Sequence, residues 1–141
     1  MKYKYLEDVS IADIAFLAEG KNLEETFQAA ALATTEAMVD MKTLKNKVKK
    51  EIVLESSNYD TLLYDWLSEL IYIKDVDQIL FKEFRIKIEK GKKYKLTAKC
   101  YGDKIDFKRQ LMGNDVKAVT MHKFKLEKQK DKWIAQVTID I

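Results

Sequence analysis

At 141 residues, with 47% hydrophobic and 35% charged residues and a net charge of +3, the chain is neither disordered nor strongly polyionic. It reads as one globular domain, residues 1–141, large enough to bury a core. Cys100 is the single cysteine, no apolar run nears the roughly 20 residues of a membrane span, and Met1-Lys2-Tyr3-Lys4-Tyr5 lacks a signal-peptide core. A cytoplasmic protein with no membrane and no disulfide partner is therefore the expectation.

Met1–Leu6 alternates weakly, as a first strand or the lead-in to one. Val9–Ala18 (VSIADIAFLA) reads as a mostly buried strand, with Asp13 sharing a face with Ile11 and Ala15. An acid there is costly unless it is paired, protonated or bound to a metal. Glu19-Gly20-Lys21 turns the chain, and Asn22 with Glu25 forms a capping box. The following helix runs from Leu23 to about Asp40, with Leu23, Phe27, Ala30, Ala31, Thr34, Met38 and Met41 inward. The basic run 42–50 feeds a strand over Val48–Leu54. Its lysines lack aromatic partners for base stacking, so it reads as a solvated edge. Ser57 and Asp60 suggest a second capping box. The helix after it extends from Tyr59 to about Ile73, with Leu62, Leu63, Trp66, Leu67 and Leu70 at helical spacing.

Leu80–Glu89 and Tyr94–Tyr101 alternate as two strands joined at Lys90-Gly91-Lys92. Cys100 falls on the inward series, a small core residue and not a nucleophile. Gly102–Asp115 is irregular, with turn chemistry at Gly113-Asn114. It leads into a C-terminal hairpin. Ala118, Thr120, His122, Phe124 and Leu126 form one face of the first strand, and Trp133, Ala135, Val137, Ile139 and Ile141 one face of the second. Facing these sets across a six-residue connection pairs 126 with 133, 124 with 135, 122 with 137 and 120 with 139. Asp140 then lies on the face opposite Val137 and Ile139, one residue before the terminal carboxylate on Ile141. Two neighbouring carboxylates need a cation or wide exposure to water.

The signatures of common enzymes are missing: no phosphate loop, Rossmann glycine triplet, GxSxG, HExxH or CxxC. His122 is the only histidine, which removes histidine triads and multi-histidine metal sites, and it reads as a structural residue. Oxygen chemistry remains. Asp13, Asp140 and the Ile141 terminus offer carboxylate and carbonyl ligands, which suit Ca²⁺ or Mg²⁺ better than Zn²⁺. Spacing alone does not bring Asp13 to Asp140. Charge is also uneven: residues 1–70 carry 8 lysines against 13 acids, and residues 71–141 carry 18 basic residues against 10 acids. Lysines on the wet faces of edge strands account for this, and a basic surface for RNA or an acidic partner is the alternative.

Three groups of residues resemble the archease family of RNA-ligation cofactors. Ala12-Asp13-Ile14, Gly20 and Leu23-Glu24-Glu25-Thr26-Phe27 match a His-Thr-Ala-Asp motif, a glycine and a Leu-Glu-Glu-x-Phe helix start. Residues 116–122 (VKAVTMH) match Lys-Ala-Val-Thr-Tyr-His, and Ile139-Asp140-Ile141 matches the chain end. Two residues depart from the pattern: Ser10-Ile11 replaces His-Thr, and Gln110 stands where a second histidine is often found. The resemblance implies an α+β fold, a two-layer α/β sandwich with two helices on a mixed, largely antiparallel sheet of about six to eight strands. It implies a divalent metal on Asp13, Asp140 and Ile141, calcium being expected and magnesium or manganese the alternatives, with Thr120, His122 and Lys117 shaping the site. It also implies a non-enzymatic role: activating a GTP-dependent tRNA-splicing RNA ligase, promoting its guanylylation and multiple turnover and broadening its nucleotide use, with tRNA engaged only indirectly. The rival expectations are a general chaperone or modulator of nucleic-acid-modifying proteins, and a basic RNA-binding module.

Overall fold

The structure, a computed structural model, describes residues 1–7 and 10–141. Its elements, in chain order, are β1 (Lys2–Tyr5), β2 (Asp13–Gly20), α1 (Leu23–Met38), a short 3₁₀ turn (Met41–Thr43), β3 (Val48–Ser56), α2 (Tyr59–Asp77), β4 (Ile79–Lys90), β5 (Tyr94–Lys104), β6 (Ala118–Gln129) and β7 (Lys132–Asp140). The α+β class holds, and the seven strands fall within the expected number. They divide into two sheets, ordered β1-β2-β7-β6 and β3-β5-β4, and every pairing is antiparallel, so the mixed sheet is not seen.

Both helices pack against both sheets, α1 chiefly on β2 and β4, and α2 chiefly on β6, β3 and β4. This explains why α1 is buried nearly all round and not only along the predicted stripe. Its alanines at 29, 30, 31, 33 and 37 are all buried, and their small side chains let sheets approach from two sides. Asn22 caps α1 by accepting a hydrogen bond from the Glu25 N–H at 2.9 Å. The helix runs back along β2: the Tyr5 hydroxyl donates to the Ala33 carbonyl at 2.6 Å, and Tyr5 pairs with Phe16 of β2. The C-terminal end of α1 therefore lies toward the start of β2.

Helix α2 outlasts its expected end by four residues and stops at Gln78, which adopts the left-handed conformation at φ 55°. Its N-cap is Asn58, without a side-chain cap bond. The Ser57/Asp60 capping box does not form, and Ser56 instead accepts from the Asn58 N–H at 3.3 Å.

The C-terminal hairpin departs most from expectation. It turns on two residues, Lys130 and Asp131, not six, with Gln129 opposite Lys132 and Leu126 opposite Ala135. Between Thr120 and Lys125 the register shifts, and beyond it Thr120 faces Thr138 and Ala118 faces Asp140. The bulge puts three extra residues in β6, an odd number, so the inward parity reverses. Leu126 and Val119 both enter the core, while Ala118, Met121 and His122 are exposed. Lys123, at φ 53°, supplies the left-handed residue that this bend requires.

Candidate functional site

The start of β2 lies against the end of β7. The register seats Asp13 directly opposite Asp140, followed by Ile14 with Ile139 and Ala15 with Thr138. Directly opposed residues of an antiparallel pair project to the same side, with Cβ atoms about 5 Å apart. The alternation that sends Phe16, Val137 and Ile139 into the core sends both acids outward, where each is half-buried. The Ile141 N–H donates to the Ala12 carbonyl at 2.9 Å, which continues the ladder one step and holds Ile141 beside Asp13. On the other flank, the Lys117 N–H donates to the Asp140 carbonyl at 2.7 Å.

Asp13 is not inside a buried strand. It is the first residue of β2, and Ile11, expected on its face, sits fully exposed in a turn. The reason is local: Ser10 accepts from the Ala12 N–H at 3.1 Å through its hydroxyl and donates to the Asp13 carboxylate at 3.3 Å, so the chain turns before it extends. Val9, the expected start of this strand, lies outside the described residues. Of the three residues expected to shape the site, Lys117 touches it through its backbone. Thr120 shares the acids' face one residue pair along β6, opposite Thr138. His122 sits exposed in the bulge, where its backbone N–H donates to the Thr120 hydroxyl at 3.2 Å.

Two networks brace this end of the molecule. Lys74, buried in the last turn of α2, donates to Asp115 at 2.7 Å and to the Val116 carbonyl at 2.6 Å, and pairs with Asp75 at 2.8 Å. Burial opposes its charge, but the two carboxylates outweigh it and raise its pKa. Lys74 thereby fixes the segment that delivers Lys117 to Asp140. The second network centres on Asp103, which is buried. It accepts from the Lys45 N–H at 3.0 Å, from Arg109 at 2.8 Å and from Gln110 at 3.4 Å. Burial works to raise its pKa, yet these donors hold it below the ordinary value of 3.8. Gln110, at the position where a histidine was noted as missing, also donates to the Lys104 carbonyl and accepts from the Asp106 N–H, so here it is a structural tie. Sequence reasoning missed both networks. Lys74 was legible in principle, because 63, 67, 70 and 74 share a helical face once α2 is carried past Ile73.

Cys100 is fully buried, and desolvation pushes its thiol up to about 12, which suits a core residue. Among the described residues, no three His, Cys, Asp or Glu side chains gather closely enough to hold a metal ion.

A model of the Archease protein family matches residues 3–141. The chain belongs to the archease family. It is 42% identical to the protein archease of Methanosarcina barkeri over 99% of this chain and 96% of that one, and 40% identical to that of Pyrococcus abyssi over 92% and 93%. The solution structure of Methanobacterium thermoautotrophicum protein 1598 superposes with a TM-score of 0.86 at 35% identity, covering 99% of this chain and 98% of that one. A Thermotoga maritima archease, described as a possible chaperone, superposes with a TM-score of 0.63 at 23% identity over 94% and 93%, which carries the fold alone. The archease motifs noted in the sequence thus fall where β2 meets β7, and where the segment before β6 reaches Asp140.

Proposed function

We propose that this archease is a non-enzymatic activator of a GTP-dependent tRNA-splicing RNA ligase, promoting its guanylylation and multiple turnover and broadening its nucleotide use. The observation that carries the reading is the register of β2 on β7, which opposes Asp13 to Asp140 on an outward face. Like charges facing each other across a ladder are unfavourable, so retaining both acids there makes sense if something cationic meets them.

The donor set fits a hard divalent cation. Asp13 and Asp140 supply anionic oxygens, and Ile141, held beside Asp13, supplies another main-chain oxygen. Nitrogen and sulfur donors are absent from this set, which favours calcium, with magnesium or manganese as alternatives. Three protein oxygens fall well short of the roughly six to eight that calcium takes, so a partner's groups could complete the shell. When bound, the ion supplies counter-charge for phosphate oxygens. The chain's own part is to hold two acids at fixed separation on a rigid pair of strands and present them outward. Lys117 and Ser10 limit their freedom from either side.

The chain offers little machinery for chemistry of its own. The thiol is buried, and the lone histidine is exposed on a bulge with no carboxylate bond to orient it among the described residues. The test is a ligase assay with purified components. The wild-type chain should raise ligase guanylylation and turnover, and Asp13→Ala and Asp140→Ala should lose the gain while remaining folded. Equal stimulation by wild type and both variants would sink the reading.

A further inference from the structure

The opposite end of the four-stranded sheet carries a second, chemically different surface. Seven residue steps separate the Asp13–Asp140 pair from the Gly20–Trp133 pair, about 23 Å at strand rise. Two hairpin tips converge at this far end: the β4–β5 tip, KGKKYK over 90–95, and the β6–β7 tip, KQKDK over 128–132. Together they hold seven lysines and one acid. An aromatic row joins them. Tyr94 of β5 meets Tyr59 of α2 with ring centroids 5.8 Å apart, and Tyr59 meets Trp133 of β7 at 5.0 Å. All three rings are half-buried, and the Lys90 ammonium lies 4.9 Å over the Tyr94 ring. Lys92, Lys93, Lys95, Lys128 and Lys130 are exposed, and among the described residues no carboxylate lies within 4.0 Å of them. Of the nearby acids, Glu89 is paired with Lys87 at 3.2 Å and Glu19 with Lys132 at 3.3 Å, while Glu55 stands opposite Lys95 across the β3–β5 ladder.

We propose that this end, the two lysine tips together with the Tyr94–Tyr59–Trp133 row, binds single-stranded RNA. Tyr94 lies within the first tip and Trp133 borders the second, and the fold sets Tyr59 of α2 between them. Cations that track a phosphodiester backbone beside part-exposed aromatic rings are the physical recipe for single-strand binding. Tyr94 and Trp133 flank Tyr59, so an unstacked base can lie against a ring edge or face while the lysines neutralise phosphates. A duplex, with its bases already stacked, would offer only its backbone. The choice of RNA over DNA rests on the ligase reading above.

Fluorescence anisotropy with a labelled oligouridine, without ligase, tests this. Four engaged phosphates would give a log–log salt slope near −3, a loss of roughly 50-fold between 50 and 200 mM salt. Lys92→Glu/Lys93→Glu and Lys128→Glu/Lys130→Glu should each weaken binding at least tenfold. Lys92→Arg/Lys93→Arg should retain it, and Tyr94→Ala should weaken it at unchanged salt slope. Because the lysine substitutions sit on exposed tips, folding should survive, checked by melting temperature. Three results would overturn the proposal: no binding at 50 mM salt, equal binding of a duplex, or equal displacement by polyglutamate of matched charge. The last would assign the surface to an acidic protein segment. Asp13→Ala should bind RNA as wild type does, so failure here is distinguishable from failure of the ligase reading.

Discussion

Asp13 and Asp140 are held in opposition by backbone hydrogen bonds, not by any attraction between their side chains. Without divalent ions their repulsion should cost a few tenths of a kcal/mol, reduced by solvent because both acids are half-exposed. Asp140→Asn should therefore melt at or slightly above wild type in chelator. Calcium should raise the wild-type melting temperature and leave Asp140→Asn unmoved, a pattern that differential scanning fluorimetry can read directly. Asp103 behaves in the opposite way. It is buried and satisfied by Lys45, Arg109 and Gln110, so Asp103→Asn should destabilise the fold by about 2 kcal/mol, roughly 6–8 °C. Its pH signature follows from the lowered native pKa. The stabilisation is complete above the ordinary value of 3.8 and is lost as pH falls through the lower native one. The variant should lack this contribution, so the gap in melting temperature between the two proteins should narrow below about pH 4. A gap that widened on acidification would contradict the assignment.

At the scale of elements, β6 flanks the site beside β7, and its bulge turns on one residue in the left-handed region. Lys123 at φ 53° occupies the left-handed region that L-residues other than Asn and Asp enter at a cost of about 1 kcal/mol. Lys123→Gly should hold or raise stability, and Lys123→Val should lower it by about 1–2 kcal/mol, since a β-branched side chain crowds that conformation further. Equilibrium unfolding in urea separates the outcomes. This bulge also marks the limit of what the sequence made legible. The alternation of Trp133, Ala135, Val137 and Ile139 correctly located β7 and its inward face. The same rule misassigned Ala118 and His122, because a period-2 pattern carries no trace of three extra residues between Thr120 and Lys125. The acidic pair was legible only through family resemblance. Pairing of β2 with β7 is a contact between residues far apart in the chain, and no local pattern encodes it. The Lys74–Asp115 bond, the Lys45–Asp103 bond and the aromatic row stayed hidden for the same reason: each joins elements that are distant in sequence.

At the scale of the whole molecule, the strands β2 and β7 act as a spacer of about 23 Å, with acids at one end and lysine tips at the other. Asp140 and the lysine tips both come from the basic second half of the sequence, so it is the strand pairing, not the charge drift along the chain, that separates them. A separation of this size exceeds the Debye length of about 8 Å at physiological salt, so the two ends should act independently. Guanylylation of a ligase consumes a nucleotide and needs no RNA, which gives the division a functional test. Lys92→Glu/Lys93→Glu should leave stimulation of guanylylation within twofold of wild type, while reducing stimulation of multiple-turnover ligation at sub-saturating RNA. Asp13→Ala should abolish both. A variant combining the two sets should show RNA affinity equal to that of the lysine variant alone, because the ends lie about 23 Å apart, beyond the roughly 10 Å over which substitutions usually couple. If reversal of the lysine tips instead removed guanylylation to the same degree as Asp13→Ala, the tips would belong to the ligase contact, and the two ends would have to be read as a single docking surface wrapped along the sheet.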